Sequence, residues 1–388
     1  MTLQFMIFIL VAFSVYALIN TYIYRRGRQG ISRGSLLNFY FKPVFWIVVL
    51  AYPLGRLFER IWICWFSSML IHIGAFWLGA MLYFFLFLIV LDLLRLFNYL
   101  FHIAPSLFKR KDQSIKNILF WSISFTVITL CAIGYWNAHH PRMQPVRLSI
   151  NKEAGELDSL KIALITDIHM GIMIDGSDIT GLVDQVNAME PDIVLLGGDI
   201  VDEDVSSVLH NGGCEPFKHF QAPLGIFAIS GNHEYIGGID EAVPFIRNCG
   251  IHLLMDSVAM IDSSFYLIGR QDYSGVRFTY HPRKSMKELM SGIDKRFPLI
   301  LLDHQPWNLA EAVVNGIDLQ LSGHTHYGQL WPLNFLVRSL YVLSWGLKSY
   351  GQTHIYVSSG YGFWGPPMRL GNHPEWVLLT VYFKPRHP

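Results

Sequence analysis

A chain whose first 141 residues hold almost all of its long uncharged apolar runs has few options. About 20 consecutive apolar residues cover the hydrocarbon thickness of a bilayer as a helix, which satisfies every backbone N–H and C=O internally. Four segments are candidates: 3–24, 38–55, the run 61–91 with its span at 68–91, and 117–136. The first, third and fourth are long enough outright. In the second, only 13 uncharged residues separate Lys42 from Arg56, so it crosses if Lys42 reaches back to the headgroups and is otherwise re-entrant or interfacial. Loop charge selects the number of crossings. Arg25, Arg26, Arg28 and Arg33 follow the first segment, and Lys109, Arg110, Lys111 and Lys116 precede the fourth. Basic loops stay cytoplasmic; four crossings keep both clusters there, whereas three would export one. The N-terminus and everything after Trp136 are then expected on the far side. The first segment has no basic residues before it and is followed by Tyr-Arg-Arg, so it reads as an anchor and not as a cleaved signal. Asp92 and Arg95, three apart near a segment end, are expected to pair with each other, which weakens a transporter reading.

Charged residues make up 15% of the chain against about 25% in ordinary soluble proteins. The N-terminal part carries that deficit, and residues 142–388 read as a normal globular sequence. A formal net charge of +1 gives no basic footprint, so no nucleic acid partner is expected. The four cysteines, Cys64, Cys131, Cys214 and Cys249, contain no CxxC pair, so neither a zinc knuckle nor a disulfide scaffold is indicated. Cys214 and Cys249 are expected as buried free thiols, a bridge between them being open only to an oxidising compartment. Residues 142–159 read as a polar connector with a strand at 146–150.

From residue 160 onward, short apolar runs alternate with amphipathic stretches. Strands are expected at 160–166, 192–196, 225–230, 265–269, 298–302, 318–322, 354–359 and 375–383. Helices are expected behind Ser177, over 238–248 and over 307–315. This alternation argues for an α/β domain around a largely buried sheet. Five of the strands end in residues of metal-ligand type. "LITDIHMG" supplies Asp167 and His169, "LLGGDIVD" supplies Asp199 and Asp202, and "ISGNHE" supplies Asn232, His233 and Glu234. "LLDHQP" supplies His304, and "LSGHTHYG" supplies His324 and His326. Any one of these is an ordinary turn residue. Together they place carboxylate, amide and imidazole groups at strand C-termini, where open α/β sheets build their sites. Oxygen and nitrogen donors without thiolate suit divalent or trivalent first-row ions, and seven donors suit two ions if one carboxylate bridges.

These blocks, in this order, resemble the calcineurin-like metallophosphoesterases, in particular the membrane-anchored bacterial type with GHTHxGQ. The resemblance covers about 160–388. It implies a two-sheet β-sandwich flanked by helices, following an N-terminal helical transmembrane region over 1–141. It implies that Asp167, His169, Asp199 and His326 hold one ion and Asp199, Asn232, His304 and His324 the other, the pair being Mn, Fe or Zn. His233 resembles the family's catalytic histidine and Asp202 the acid that orients it. Two positions depart from the pattern: Glu234 stands where many members have Asp, and Tyr327, where close relatives have Gly, would narrow the pocket.

The expected activity is hydrolysis of a phosphodiester, phosphomonoester or pyrophosphate bond, from an integral protein of the bacterial inner (plasma) membrane with its catalytic domain extracytoplasmic. Anchoring in the bilayer favours a lipid-linked substrate. The stretch 358–376 resembles the family's closing segment, with Arg369 either a phosphate contact or a solvent-facing turn residue. Aromatic residues at 331, 335, 341, 345 and 350 either dip into lipid or join the core. A metal-bound scaffold without catalysis and a membrane sensor of a phosphorylated ligand are the alternatives; loss of a ligand or of His233 would favour the scaffold, and none is lost.

Overall fold

The computed structural model describes residues 3–32, 34–103, 113–202, 204–279 and 282–385. The chain forms two compact units: Met1–Tyr135 with Gly365–Met368, and Trp136–Trp364 with Arg369–Pro388.

Among the described residues the first unit contains four helices, α1 (Leu3–Gly30), α2 (Leu36–Glu59), α3 (Trp65–Phe101) and α4 (Gln113–Ala138). Each outruns its apolar segment, because hydropathy marks the hydrocarbon thickness while the helical hydrogen-bond ladder continues into the polar zone. Among the described residues, α2, α3 and α4 are long and apolar enough to cross a membrane. The segment doubted from its charges is thus one of the three. Its Lys42 is exposed in the second turn of α2, close to the helix end. Arg33, Lys109, Arg110 and Lys111 of the basic loops lie outside the described residues. Asp92 pairs with Arg95 at 3.0 Å, as expected, and also with Arg26. The Arg26 contact joins the C-terminal ends of α1 and α3, so α2 runs the length of the unit between them.

The second unit is built on two six-stranded sheets. Its strands are β1 (Arg142–Ile150), β2 (Ser159–Ile165), β3 (Ile193–Leu196), β4 (Ile226–Ala228), β5 (His252–Leu253) and β6 (Ser257–Ile261). They continue with β7 (Phe265–Gly269), β8 (Leu299–Leu302), β9 (Leu319–Ser322), β10 (Gly346–Tyr350), β11 (Thr353–Val357) and β12 (Glu375–Phe383). The orders are β1-β12-β2-β3-β4-β5 and β10-β11-β9-β8-β7-β6. The strand expected at 146–150 begins earlier, at Arg142, and pairs in parallel with β12 along its whole length.

Continuous apolar runs arise because both faces of each sheet are covered. Ile162, Leu164, Ile193 and Leu195 point between the sheets against Ile300, Leu302, Leu319 and Leu321. Their neighbours Ala163, Ile165, Val194 and Leu196 point outward onto Ile179, Leu182, Val183 and Val186 of α5 (Gly176–Asn187). On the second sheet, Leu299 and Leu301 turn outward onto Met286, Leu289 and Ala312. The side-chain period of two divides each strand between two cores. Helix α5 is capped by Asp175 rather than Ser177: its carboxylate accepts the Ser177 N–H at 2.8 Å.

Cys214 and Cys249 are not free thiols; they form a disulfide with Cα atoms 4.7 Å apart, a spacing that the sequence separation of 35 does not reveal. Closing a loop of that length stabilises by about 3–4 kcal/mol in the chain-entropy account. Cys214→Ser/Cys249→Ser protein is expected to melt at lower temperature. Thiol alkylation of unfolded wild type should label only Cys64 and Cys131 until a reductant is added.

Candidate metal centre

Five strands, β2, β3 and β4 of one sheet and β8 and β9 of the other, deliver the site residues within a few positions of their C-terminal ends. The exit loops are cross-linked through backbone: Asp167 N–H donates to Gly198 O at 3.0 Å and His169 N–H to Asp199 O at 3.0 Å. His324 N–H donates to Asp167 Oδ1 at 2.9 Å. These turns are so tight that five of the seven expected ligands adopt left-handed backbone: Asp167 (φ 55°), His169 (53°), Asp199 (51°), His324 (70°) and His326 (44°). Each costs about 1–2 kcal/mol for a residue with a Cβ, and such outliers gather where function dictates geometry. Gly198, at φ 92°, has the same need. Gly231 is required by proximity instead: a Cβ there would lie 2.1 Å from Asp199 Oδ1.

Three donor groups each have their ligand atoms within 4.8 Å of one another; one of them, His169, Asp199 and His233, overlaps two others that share no residue. Asp167, His169 and His326 form one; Asp199, His304 and His324 form the other. His169 joins the sets, its Nε2 lying 3.9 Å from Asp199 Oδ2. His304 Nε2 faces the same oxygen at 3.1 Å. His304 Nδ1 donates to Gly197 O at 2.8 Å, which fixes the tautomer and leaves the Nε2 lone pair for a ligand. His304 Nε2 and Asn232 Oδ1 are buried without a hydrogen-bond partner, the condition expected of atoms that bind a cation. His169 Nε2 and His326 Nε2 meet at 3.0 Å. Arg369 Nη2 donates to His326 Nδ1 at 2.9 Å, so the ring proton of His326 stays on Nε2, and a cation entering there would displace it. The donor set therefore fits two first-row ions.

The electrostatics agree. Burial alone would raise the Asp199 carboxyl, but the imidazoles of His304, His233 and His169 outweigh it and hold Asp199 well below the usual carboxylate range. Burial likewise opposes charge on His304, yet Asp199 outweighs it and lifts that imidazole well above its ordinary value. His324 is pushed down to about 4 by burial and by His304. His326 is held low by burial, Arg369 and His169. Neutral His324 and His326 beside an ionised Asp199 match the protonation states that metal ligands need, whereas His304 would have to give up its Nε2 proton to a cation.

His233 stands beside both sets. Its ring meets His169 edge-to-face at 4.5 Å between centroids, and its Nδ1 lies 3.4 Å from Asp202 Oδ1. Trp364 closes on its other side at 5.7 Å. That contact spans 131 positions of sequence and left no signal in the chain. Glu234, which the sequence places among the ligand-type residues, belongs to none of the donor groups and is a clamp instead. Its carboxylate accepts N–H bonds from Gly231 (2.7 Å), Asp199 (3.1 Å), Ile200 (2.7 Å) and Val201 (3.0 Å). The available sign was its place at the third position of the helix Asn232–Gly237, from which an acid reaches back to the N-cap.

Arg369 is not solvent-facing. It is fully buried, and its guanidinium donates to the carbonyls of His326, Ser359, Gly360 and Gly362 as well as to His326 Nδ1. Every donor it could offer a phosphate at Nη1 or Nη2 is directed at this chain, so it positions the His326 loop. Tyr327 is buried with its ring 5.3 Å from Trp345 and its hydroxyl on Arg338. Its φ of 47° explains why glycine suits the same turn.

The calcineurin-like phosphoesterase family profile matches residues 160–328. An uncharacterized metallophosphoesterase of Helicobacter pylori is 33% identical over 280 residues, 70% of this chain and 72% of that protein. One from Campylobacter jejuni is 29% identical over 384 residues, 97% of this chain and 98% of its own. A transmembrane protein with metallophosphoesterase domain from Danio rerio is 30% identical over 265 residues, 65% of this chain and 60% of that one. A profile that begins at β2 and ends just past His326, and a Helicobacter protein aligned over most of its own length, make this chain a member of the calcineurin-like phosphoesterases.

Proposed function

We propose that this protein is a dinuclear-metal phosphoesterase of the bacterial inner membrane, with its catalytic unit outside the cytoplasm and a lipid-linked phosphoester or pyrophosphate as substrate. Phosphoester hydrolysis comes with the family, and membrane residence with the three apolar helices. The observation that carries the dinuclear reading is Asp199, which lies within reach of His169 of one donor set and is itself part of the other. Asp167, His169, Asp199 and His326 would hold one ion, and Asp199, Asn232, His304 and His324 the second. Bound there, first-row ions supply positive charge to phosphoryl oxygens and make water acidic enough to attack near neutral pH. His233, with Nδ1 turned to Asp202, holds a proton at Nε2 for the departing oxygen. Glu234 and Arg369 keep the 199–201 and 326 loops in place.

The disulfide supports an oxidising compartment. A lipid-linked substrate is supported by the apolar surface just after the His326 turn. Trp331, Phe335, Leu336, Leu340 and Trp364 are each half or more exposed, while Tyr341 is half-buried against Trp307. Such a patch is unusual on a domain bathed only in water.

Purified full-length protein loaded with manganese should hydrolyse bis(p-nitrophenyl) phosphate. His233→Ala should slow that reaction by roughly 10²–10⁴-fold while metal content, read by elemental analysis, stays at two ions per chain. Unchanged turnover in that variant would remove His233 from the mechanism. Replacing Phe335, Leu336 and Leu340 together by Ser should lower turnover of a phosphoester presented in vesicles and spare the soluble diester; equal loss on both would sink the lipid-linked reading.

A further inference from the structure

We infer that the helical unit carries a binding site for one anionic phospholipid, formed where α1, α2, α3 and α4 come together. A cavity of about 200 Å³ lies there, walled by Phe41, Phe45, Trp77, Phe84, Leu88 and Phe120. Three cations, Arg26, Arg95 and Lys116, line the same cavity. Each sits near an end of its helix, at the C-terminal ends of α1 and α3 and the N-terminal end of α4. An apolar chamber with cations gathered at helix ends matches a ligand with a hydrocarbon tail and an anionic head.

Charge decides the class of head. The carboxylate facing this cluster among the described residues is Asp92, which accepts from Arg26, from Arg95 at 3.0 Å and from the Tyr22 hydroxyl at 2.7 Å. Elsewhere in the unit, Glu59 is taken by Arg56 at 3.1 Å, and Asp112 lies outside the described residues. Three cations against one carboxylate leave an excess of two positive charges. A zwitterionic headgroup brings its own ammonium and gains little from that excess, whereas a net-negative phospholipid neutralises part of it in a medium that screens poorly. Free phosphate would leave the aromatic walls unused. The site shares no residue with the metal centre, so it stands or falls independently of the phosphoesterase reading.

The test is native mass spectrometry of the full-length protein after exchange into detergent doped with equal amounts of phosphatidylglycerol and phosphatidylcholine. Wild type should retain one phosphatidylglycerol per chain in roughly tenfold preference. Lys116→Gln, whose ammonium makes no ion pair among the described residues, should cut that preference several-fold. Leu88→Trp, which fills the chamber without touching charge, should reduce retention of both lipids. Equal retention of the two lipids by wild type, or an undiminished preference in Lys116→Gln together with unaltered retention in Leu88→Trp, would overturn the assignment. Retention of inorganic phosphate in place of lipid would overturn it as well.

Discussion

Asp199→Asn is expected to lower hydrolysis of bis(p-nitrophenyl) phosphate by on the order of 10³-fold or more and to leave the purified protein with less than one ion per chain. Loss of an outer-shell partner typically costs 10–100-fold, and in the proposed arrangement Asp199 would serve both ions directly. Its two oxygens have separate duties. Oδ1 accepts the His233 N–H at 2.8 Å, and Oδ2 faces His304 Nε2 at 3.1 Å. An asparagine that keeps its oxygen toward His233 must turn its NH₂ toward His304, so the fold is retained while the anionic donor is lost. Asp204→Asn, five residues on, is the matched control. Asp204 caps a short helix, one carboxylate oxygen accepting the Ser206 N–H at 2.8 Å and the Ser206 hydroxyl, a role asparagine fills equally well. Full metal occupancy and wild-type turnover in Asp199→Asn would end the dinuclear reading, whereas equal losses in both variants would point to general damage in the loop.

The convergence of the candidate ligands was legible in the sequence because each stands a few residues past an apolar run, where the strand direction already fixes its location. What those runs packed against was not legible. Ile162 and Ala163 are both fully buried, one between the sheets and one under α5, and a run that is apolar on both faces reads the same in one sheet as in two. The sandwich therefore came only through family resemblance. Strands β6 and β10 escaped because they are largely half-exposed edge segments with little patterning. The supporting residues failed for a different reason. Arg369 reads as a surface arginine because its partners are backbone carbonyls up to 43 positions away, and a carbonyl leaves no mark in a sequence. The disulfide was misjudged because a separation of 35 residues says nothing of Cα distance. In the helical unit, counting charges understated the second span, since a lysine in a second turn can reach the headgroups.

Glu234→Ala should destabilise the catalytic unit by about 4 kcal/mol or more, the largest loss expected from a residue that touches no ion. Four backbone N–H groups, those of Gly231, Asp199, Ile200 and Val201, would be left buried without an acceptor, and each such loss costs about 1–3 kcal/mol with partial relief by relaxation. Glu234→Gln separates geometry from charge. Oε1 serves Ile200 and Val201 while Oε2 serves Gly231 and Asp199, so a glutamine of the same shape must present an NH₂ to one of these donor pairs. It should therefore lie between wild type and alanine in thermal stability. Glu234→Asp keeps the charge but withdraws it by one methylene, loosening the grip on a loop whose Asp199 is held at φ 51°. That variant should fold and show weakened metal affinity, because the left-handed turn persists only while its surroundings enforce it. Metal titration alongside thermal melting distinguishes the two effects: glutamine melting like wild type would refute the clamp, and aspartate with unaltered metal affinity would show that the clamp serves stability alone.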